Sequence, residues 1–201
     1  MKRFQLLLLL VALCVALFNC NTSKQKEDDA NEKFSVFFEK FIKAFNEKKT
    51  NEINKHINSK YGFFVIDNPG AYTVVYRFDS FNEFAIRSGN FSIEYDKLLN
   101  VDCKLTDGKR PYYDCEKGWD KEGCFLEKTP EFKLYELYES MVEYFLVDSI
   151  SVKEEMELVT DFDTMTTRLV YSTDKIAGFY FGEIEGKWYL LCIDEVTPCS
   201  A

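Results

Sequence analysis

Two runs near the carboxyl end, Ile176 to Ile184 and Lys187 to Val196, alternate with period two on either side of Glu185-Gly186. With that dipeptide as a two-residue turn, Ala177, Phe179, Phe181 and Glu183 share a face with Trp188, Leu190, Cys192 and Asp194. Ile176, Tyr180, Ile184, Tyr189, Leu191 and Ile193 share the other. Neither face of such a ribbon can be left to water, so it must be covered on both sides or strongly curled, and Gly178 and Gly182 mark places where it can bend. Ile150 to Val159 and Met165 to Thr173 carry the same period upstream, which predicts four strands with short connections.

The cover has to come from the amino-terminal half. Phe34, Phe37, Phe38, Phe41, Ile42 and Phe45 fall on one helical stripe, with Glu32, Lys33, Glu39, Lys40 and Lys43 opposite, which predicts an amphipathic helix whose aromatic face seeks a core. Thr50 is a candidate N-cap for a second short helix carrying Ile53 and Ile57. The only histidine, His56, lies beside them among Asn54 and Lys55 and reads as a solvated or half-buried residue. Phe63 to Ile66 and Tyr72 to Phe78 flank Asp67-Asn68-Pro69-Gly70 and predict a hairpin. Ser80-Phe81-Asn82-Glu83 fits a capping box opening a short helix that Gly89 can end. Asn100 to Lys128 is turn-rich and reads as a disulfide-braced excursion. Thr129-Pro130 then starts a helix through Phe132, Tyr135, Leu137, Tyr138, Met141, Val142 and Phe145.

The first twenty residues read as an export address. Lys2 and Arg3 precede an apolar run from Leu6 to Phe18, shorter than the ~20 residues a spanning helix needs and suited to a signal-peptide core. No pair of small residues at the usual cleavage spacing occurs between Ala16 and Lys24. Leu17-Phe18-Asn19-Cys20 resembles a bacterial lipobox, matching it at Leu17 and Cys20 and departing at Phe18 and Asn19. That resemblance implies lipidation of Cys20, with ordinary secretion or a retained anchor helix as the other readings. The expected organisation is a signal peptide over 1–19, a lipidated Cys20 with a polar tether to residue 30, and one α+β domain over 31–201.

Charge follows from the same reading. Loss of Lys2 and Arg3 takes the net charge from -9 to -11, a surface that repels anionic headgroups and phosphate backbones. Nucleic acid is therefore not expected as a partner, and the membrane is expected only through the lipid anchor.

Of seven cysteines, Cys14 leaves with the signal and Cys20 goes to lipid. Cys103, Cys115, Cys124, Cys192 and Cys199 remain, an odd set that leaves one thiol free and, with two bridges, admits about fifteen pairings. Cys103 and Cys115 flank the turn Thr106-Asp107-Gly108-Lys109 and are the preferred pair, with Cys124 as rival partner for either. Cys192 and Cys199 could close a short loop around Pro198. No Cys-x-x-Cys spacing supports zinc.

The succession of an amphipathic helix, a second short helix, a further helix and a last strand Gly186-Lys187-Trp188-Tyr189-Leu190-Leu191-Cys192-Ile193-Asp194 resembles the nuclear-transport-factor-two-like superfamily. The resemblance implies an α+β fold with N-terminal helices packed on a curved antiparallel sheet ending in a C-terminal β-meander. It further implies a cone-shaped pocket that different members use for isomerisation, dehydration, ligand binding or dimerisation. The composition also resembles exported bacterial lipoproteins of unknown function. Candidate pocket residues are Trp188, Asp194, Phe179 and Phe181. Catalytic members use a carboxylate or histidine base with tyrosine or aspartate donors, but the register above puts Tyr180 on the face opposite Asp194 and Trp188 and assembles no such group.

Other motifs carry little. Asn21-Thr22-Ser23 and Asn90-Phe91-Ser92 match the glycosylation triplet. Asp161 and Asp163 fail as a calcium loop because Thr166 and Ser172 occupy the positions that need glycine and glutamate. No phosphate-binding loop, metalloprotease or nucleophile-elbow motif occurs, and no cofactor or metal is expected. The expected function is non-catalytic binding of a small apolar ligand or an envelope protein by an exported lipoprotein. The alternatives are a cone-fold isomerase or dehydratase with a pocket carboxylate, and a structural or assembly accessory.

Overall fold

The computed structural model describes residues 33–68, 72–87, 95–131, 133–144 and 149–195. The run expected as a leader, Cys20, the stretch expected as its tether, Pro69-Gly70, Gly89, Asn90-Phe91-Ser92 and Cys199 lie outside these residues. The chain divides after Lys40 into two compact units, 1–40 and 41–201. Helix α1, residues 33–46, begins in the first unit, where the Phe34 ring lies 5.8 Å from Phe37 and 6.1 Å from Phe38.

The second unit is α+β. After α1 come α2 (Thr50–Asn54), β1 (Phe63–Asp67), β2 (Val74–Phe78), α3 (Phe81–Arg87), a 3-10 turn (Tyr95–Leu98) and β3 (Leu105–Asp107). There follow β4 (Tyr113–Asp114), β5 (Gly118–Trp119), β6 (Cys124–Glu127), α4 (Leu134–Glu143), α5 (Ser149–Met165), β7 (Thr166–Ser172), β8 (Ala177–Ile184) and β9 (Lys187–Asp194). Seven strands form one sheet in the order β2-β1-β9-β8-β7-β6-β3, and β4 and β5 form a small second sheet. The large sheet is antiparallel except where β1 runs parallel to β9 and β3 parallel to β6.

Away from the β8–β9 turn, β1, β8 and β9 are buried on both faces of the sheet, as the two-sided ribbon requires. On one face Phe41 stands edge-on to Phe181 at 5.1 Å and Phe45 edge-on to Phe179 at 5.4 Å. Phe81, Phe84 and Tyr95 extend this aromatic layer from α3 and the 3-10 turn, and the Tyr95 hydroxyl donates to the Phe45 carbonyl at 2.7 Å. Such edge-to-face pairs align the positive ring edge with the negative ring face and add to the burial itself. On the opposite face Phe64, Ile66, Leu169, Tyr171, Tyr180 and Cys192 meet Leu134, Tyr138 and Met141 of α4 and Val159 and Phe162 of α5.

The expected hairpin forms as β1 against β2, from Phe63 opposite Phe78 to Asp67 opposite Val74. The Ser80 half of the capping box forms, with Ser80 Oγ accepting from the Glu83 amide at 3.3 Å, while Glu83 Oε1 accepts from Arg87 Nη1 at 2.6 Å. Thr50 is the first residue of α2 rather than its cap. Lys49 holds the cap position, its carbonyl accepting from the Glu52 and Ile53 amides.

Two larger corrections concern the sheet. Ile150 to Val159, expected as a strand, lies within α5. Lys153-Glu154-Glu155-Met156-Glu157-Leu158 is a run of strong helix formers, and Val159 and Phe162, three apart, are buried on one side of it. The second concerns β8 and β9. Ile184 pairs with Lys187 across the expected turn, where Glu185 and Gly186 both have positive φ, and Phe181 pairs with Leu190. Tyr180, however, pairs with Cys192, so Leu191 is an extra residue on β9. This bulge inverts the facing of everything beyond it, and Asp194 comes to share a face with Tyr180 instead of with Phe179, Phe181 and Trp188.

Candidate functional site

The bulge assembles a polar group that a regular alternation keeps apart. Tyr171 of β7 pairs with Gly178 of β8, and Gly178 pairs with Asp194 of β9, so these three form one row across the sheet with Tyr180 beside them. Gly178 leaves that row low in the middle. A Cβ there would lie 3.1 Å from Leu169 Cδ1 and 3.3 Å from Tyr171 Cδ2. Arg110 covers the gap, with Nη1 donating to Asp194 Oδ2 at 2.8 Å and its guanidinium 4.5 Å from the Tyr171 ring centre. Burial opposes the charge on Arg110. The Asp194 carboxylate, with Tyr180 and Tyr171, outweighs that penalty and raises the guanidinium pKa above its ordinary value. Burial, and then Asp194, raise the pKa of the Tyr180 hydroxyl. Burial raises the pKa of the Tyr171 hydroxyl, and the Arg110 guanidinium beside it opposes that shift.

Arg110 arrives on the cysteine-rich excursion. Cys103 and Cys124 are bonded at its base, with Cα atoms 5.3 Å apart. This replaces the preferred Cys103–Cys115 pairing, because Leu105 and Cys124 sit side by side in the β3–β6 ladder while Cys115 lies in the turn between β4 and β5. Cys115 is itself disulfide-bonded, and Cys192 is buried and in no disulfide, which excludes the short Cys192–Cys199 loop. The excursion is tied down by the Arg110 amide on Glu127 Oε2 and by Trp119, whose ring lies 4.8 Å from Tyr113 and 5.6 Å from Tyr171. Thr173 Oγ1 accepts from the Gly123 amide at 2.8 Å and fixes the far end to the β7–β8 turn.

Between that foot and the turn lies a cleft of about 580 Å³, lined by Asp102, Trp119, Glu122, Gly123, Cys124, Ser172, Thr173 and Asp174. Its volume falls in the range of small-molecule sites. One aromatic wall faces hydroxyls, a glycine backbone and three carboxylates. A second cleft of about 460 Å³ lies along the β3–β6 edge, with Lys109, Lys128, Glu127 and Glu131 on its walls.

The residues expected to line a pocket stand elsewhere. Phe179 and Phe181 are fully buried under Phe45 and Phe41, and Trp188 is nearly so, with the Arg168 guanidinium 5.7 Å from its ring. None of these three lines either cleft. His56 is half-buried, its Nδ1 3.3 Å from the Trp188 carbonyl, and burial lowers its pKa. Asp194 is in the core polar group just described, and Cys20 lies outside the described residues. On the other face of the same sheet end, Glu195 is pushed up to about 8 by burial, then by the charge of Asp67, with Lys97 opposing. Its amide donates to the Ile66 carbonyl at 3.3 Å. Arg110, Trp119 and Glu195 carried no motif in the sequence, and only a bulged register would have brought Asp194 to Tyr180.

Among the described residues no group of three or more histidine, cysteine or acidic side chains is arranged to hold a metal ion, and no helix is long and apolar enough to cross a membrane. No protein-family model, curated protein or solved structure matches the chain.

Proposed function

We propose that the protein is an exported bacterial lipoprotein, anchored through Cys20, whose folded domain binds a small ligand without transforming it. The single observation that carries the binding reading is the cleft of about 580 Å³ beside Trp119, held open between a disulfide-closed foot and the β7–β8 turn. Trp119 offers a flat apolar wall, and Asp102, Glu122 and Asp174 offer acceptors to a ligand's donor groups. The anchor reading is supported by the leader and by Leu17 and Cys20. The nuclear-transport-factor-two-like reading is supported by the antiparallel succession β7-β8-β9 as a C-terminal meander over the rings of α1. In this chain those rings fill the face that a cone would leave hollow, which favours a ligand at the cleft.

A non-catalytic role fits the placement of Asp194, whose carboxylate is taken by Arg110. An enzymatic reading is favoured by one observation: Glu195, held protonated near neutral pH, has the poise of a general acid or base. Titration of the carboxylates by NMR, with and without ligand, separates the two, since a catalytic Glu195 must respond to what occupies the site.

The test of binding is native mass spectrometry of the protein released in mild detergent from its own envelope. A non-covalent small-molecule adduct is expected on the wild type and should be lost from Asp174→Trp, which fills the cleft at an exposed lip. A wild-type chain without adduct, or an adduct retained by Asp174→Trp, contradicts the proposal.

A further inference from the structure

One disulfide of this fold reaches beyond the described residues. Cys103 is bonded to Cys124 and Cys192 is in no disulfide, yet Cys115 is disulfide-bonded. Its partner is therefore Cys14, Cys20 or Cys199. Reach separates the three. Cys14 and Cys20 join the described chain only through residue 33, so thirteen residues or more of tether precede α1. Cys199 follows Glu195 by four residues, and the Glu195 amide donates to the Ile66 carbonyl at 3.3 Å, which fixes the start of that tether. Four residues reach ~14 Å at most. The other arm starts beside it. Asp194 Oδ2 accepts from Arg110 Nη1 at 2.8 Å, and Cys115 follows Arg110 by five residues, in the turn between β4 and β5. The β4–β5 hairpin itself lies against the sheet, since the Trp119 ring is 5.6 Å from that of Tyr171, which shares a row with Asp194. A bond between the two arms closes a short ring on contacts already made, and the effective concentration of a tethered thiol falls roughly as the three-halves power of tether length.

We propose that Cys115 is bonded to Cys199, so that the carboxyl-terminal tail straps the β4–β5 hairpin, which carries Trp119, to the end of β9. The bond forms when the two thiols lose two protons to water and two electrons to the exchangeable disulfide of a thiol oxidoreductase, which ends as a dithiol. That oxidant belongs to the compartment outside the cytoplasm, so the step rests on the export reading. It rests neither on acylation of Cys20 nor on the cleft holding a ligand. Cys115 is exposed whereas Cys124 is 5% exposed, so the strap is the bond that a reductant meets first.

Non-reducing peptide mapping of the full chain, with thiols blocked before lysis, tests the pairing without a variant. Cleavage at Asp194-Glu195 parts Cys192 from Cys199, and Cys115 is expected cross-linked to Cys199. The acyl mass on the Cys20 peptide reports the anchor separately, and a Cys115–Cys199 bond supports the proposal whether or not Cys20 is acylated. Cys115 bonded to Cys14 or Cys20, or blocked as a thiol while Cys103–Cys124 stays intact, overturns the pairing alone. Blocking of Cys103 and Cys124 as well overturns it together with the export reading. In Cys199→Ser, Cys115 should alkylate without reductant and hydrogen exchange across residues 113–119 should run about tenfold faster, while Cys20→Ser keeps both as in the wild type. In graded reductant Cys115 should alkylate at about tenfold lower concentration than Cys103 and Cys124. Opening of both bonds together, or unchanged exchange in Cys199→Ser, overturns the strap.

Discussion

Glu195 is the group through which pH should act on this fold. Its carboxyl is pushed from 4.5 to about 8, first by burial and then by Asp67. Between those values the unfolded chain has released the proton and the folded chain still holds it. Unfolding therefore releases a proton, and raising the pH favours unfolding. The stability contributed at Glu195 is complete below pH 4.5 and is lost as pH rises through about 8. Each pH unit across that window changes stability by about 1.4 kcal/mol, which sets a ceiling of about 5 kcal/mol, and relaxation around a partly enclosed group brings the expectation to about 2–3 kcal/mol. Glu195→Gln keeps the shape and is neutral at every pH. Urea denaturation of both proteins from pH 4.5 to 9 should show a stability difference near zero at the acid end. The variant should gain steadily to pH 8, and the difference should flatten above it. Groups common to both proteins cancel. A difference independent of pH, or one that favours the wild type as pH rises, refutes the reasoning.

Four further outcomes follow from packing and covalent structure. Phe45→Ala removes a ring shared by Phe179, Phe81 and Tyr95 and should cost about 3–5 kcal/mol in denaturant unfolding; a loss under about 1 kcal/mol would mean the aromatic layer is not the core. Cys124→Ser opens the Cys103–Cys124 loop and should cost about 3 kcal/mol. Non-reducing peptide maps of the wild type should join those two cysteines and show Cys192 alkylated only after unfolding. Cys20→Ser should move the protein from the membrane to the soluble fraction, and unchanged partition into detergent would remove the lipid anchor from the account.

Legibility in the sequence followed the length scale of the cause. Local signals read well: the stripe from Phe34 to Phe45, the Glu185-Gly186 turn and the Ser80 cap each depend on neighbours within a few residues. The α5 segment misled because Ile150, Val152 and Leu158 alternate like a strand while the charged residues between them favour a helix. The polar group at Gly178 was hidden for another reason. It needs one extra residue at Leu191 and an arginine brought from some eighty positions away, and neither leaves a periodic trace. The same holds for the Cys103–Cys124 bond, which depends on β3 lying parallel to β6 and not on the turn between the two nearer cysteines.

Binding at the edge cleft, rather than inside a cone, is most directly tested by residue-resolved NMR of the domain with the small molecule that leaves the envelope bound to it. Shifts are expected at Gly123, Ser172, Thr173 and the Trp119 indole, with Phe179, Phe181 and Trp188 unmoved. Shifts centred on Phe179, Phe181 and Trp188, or none at the cleft, would contradict it.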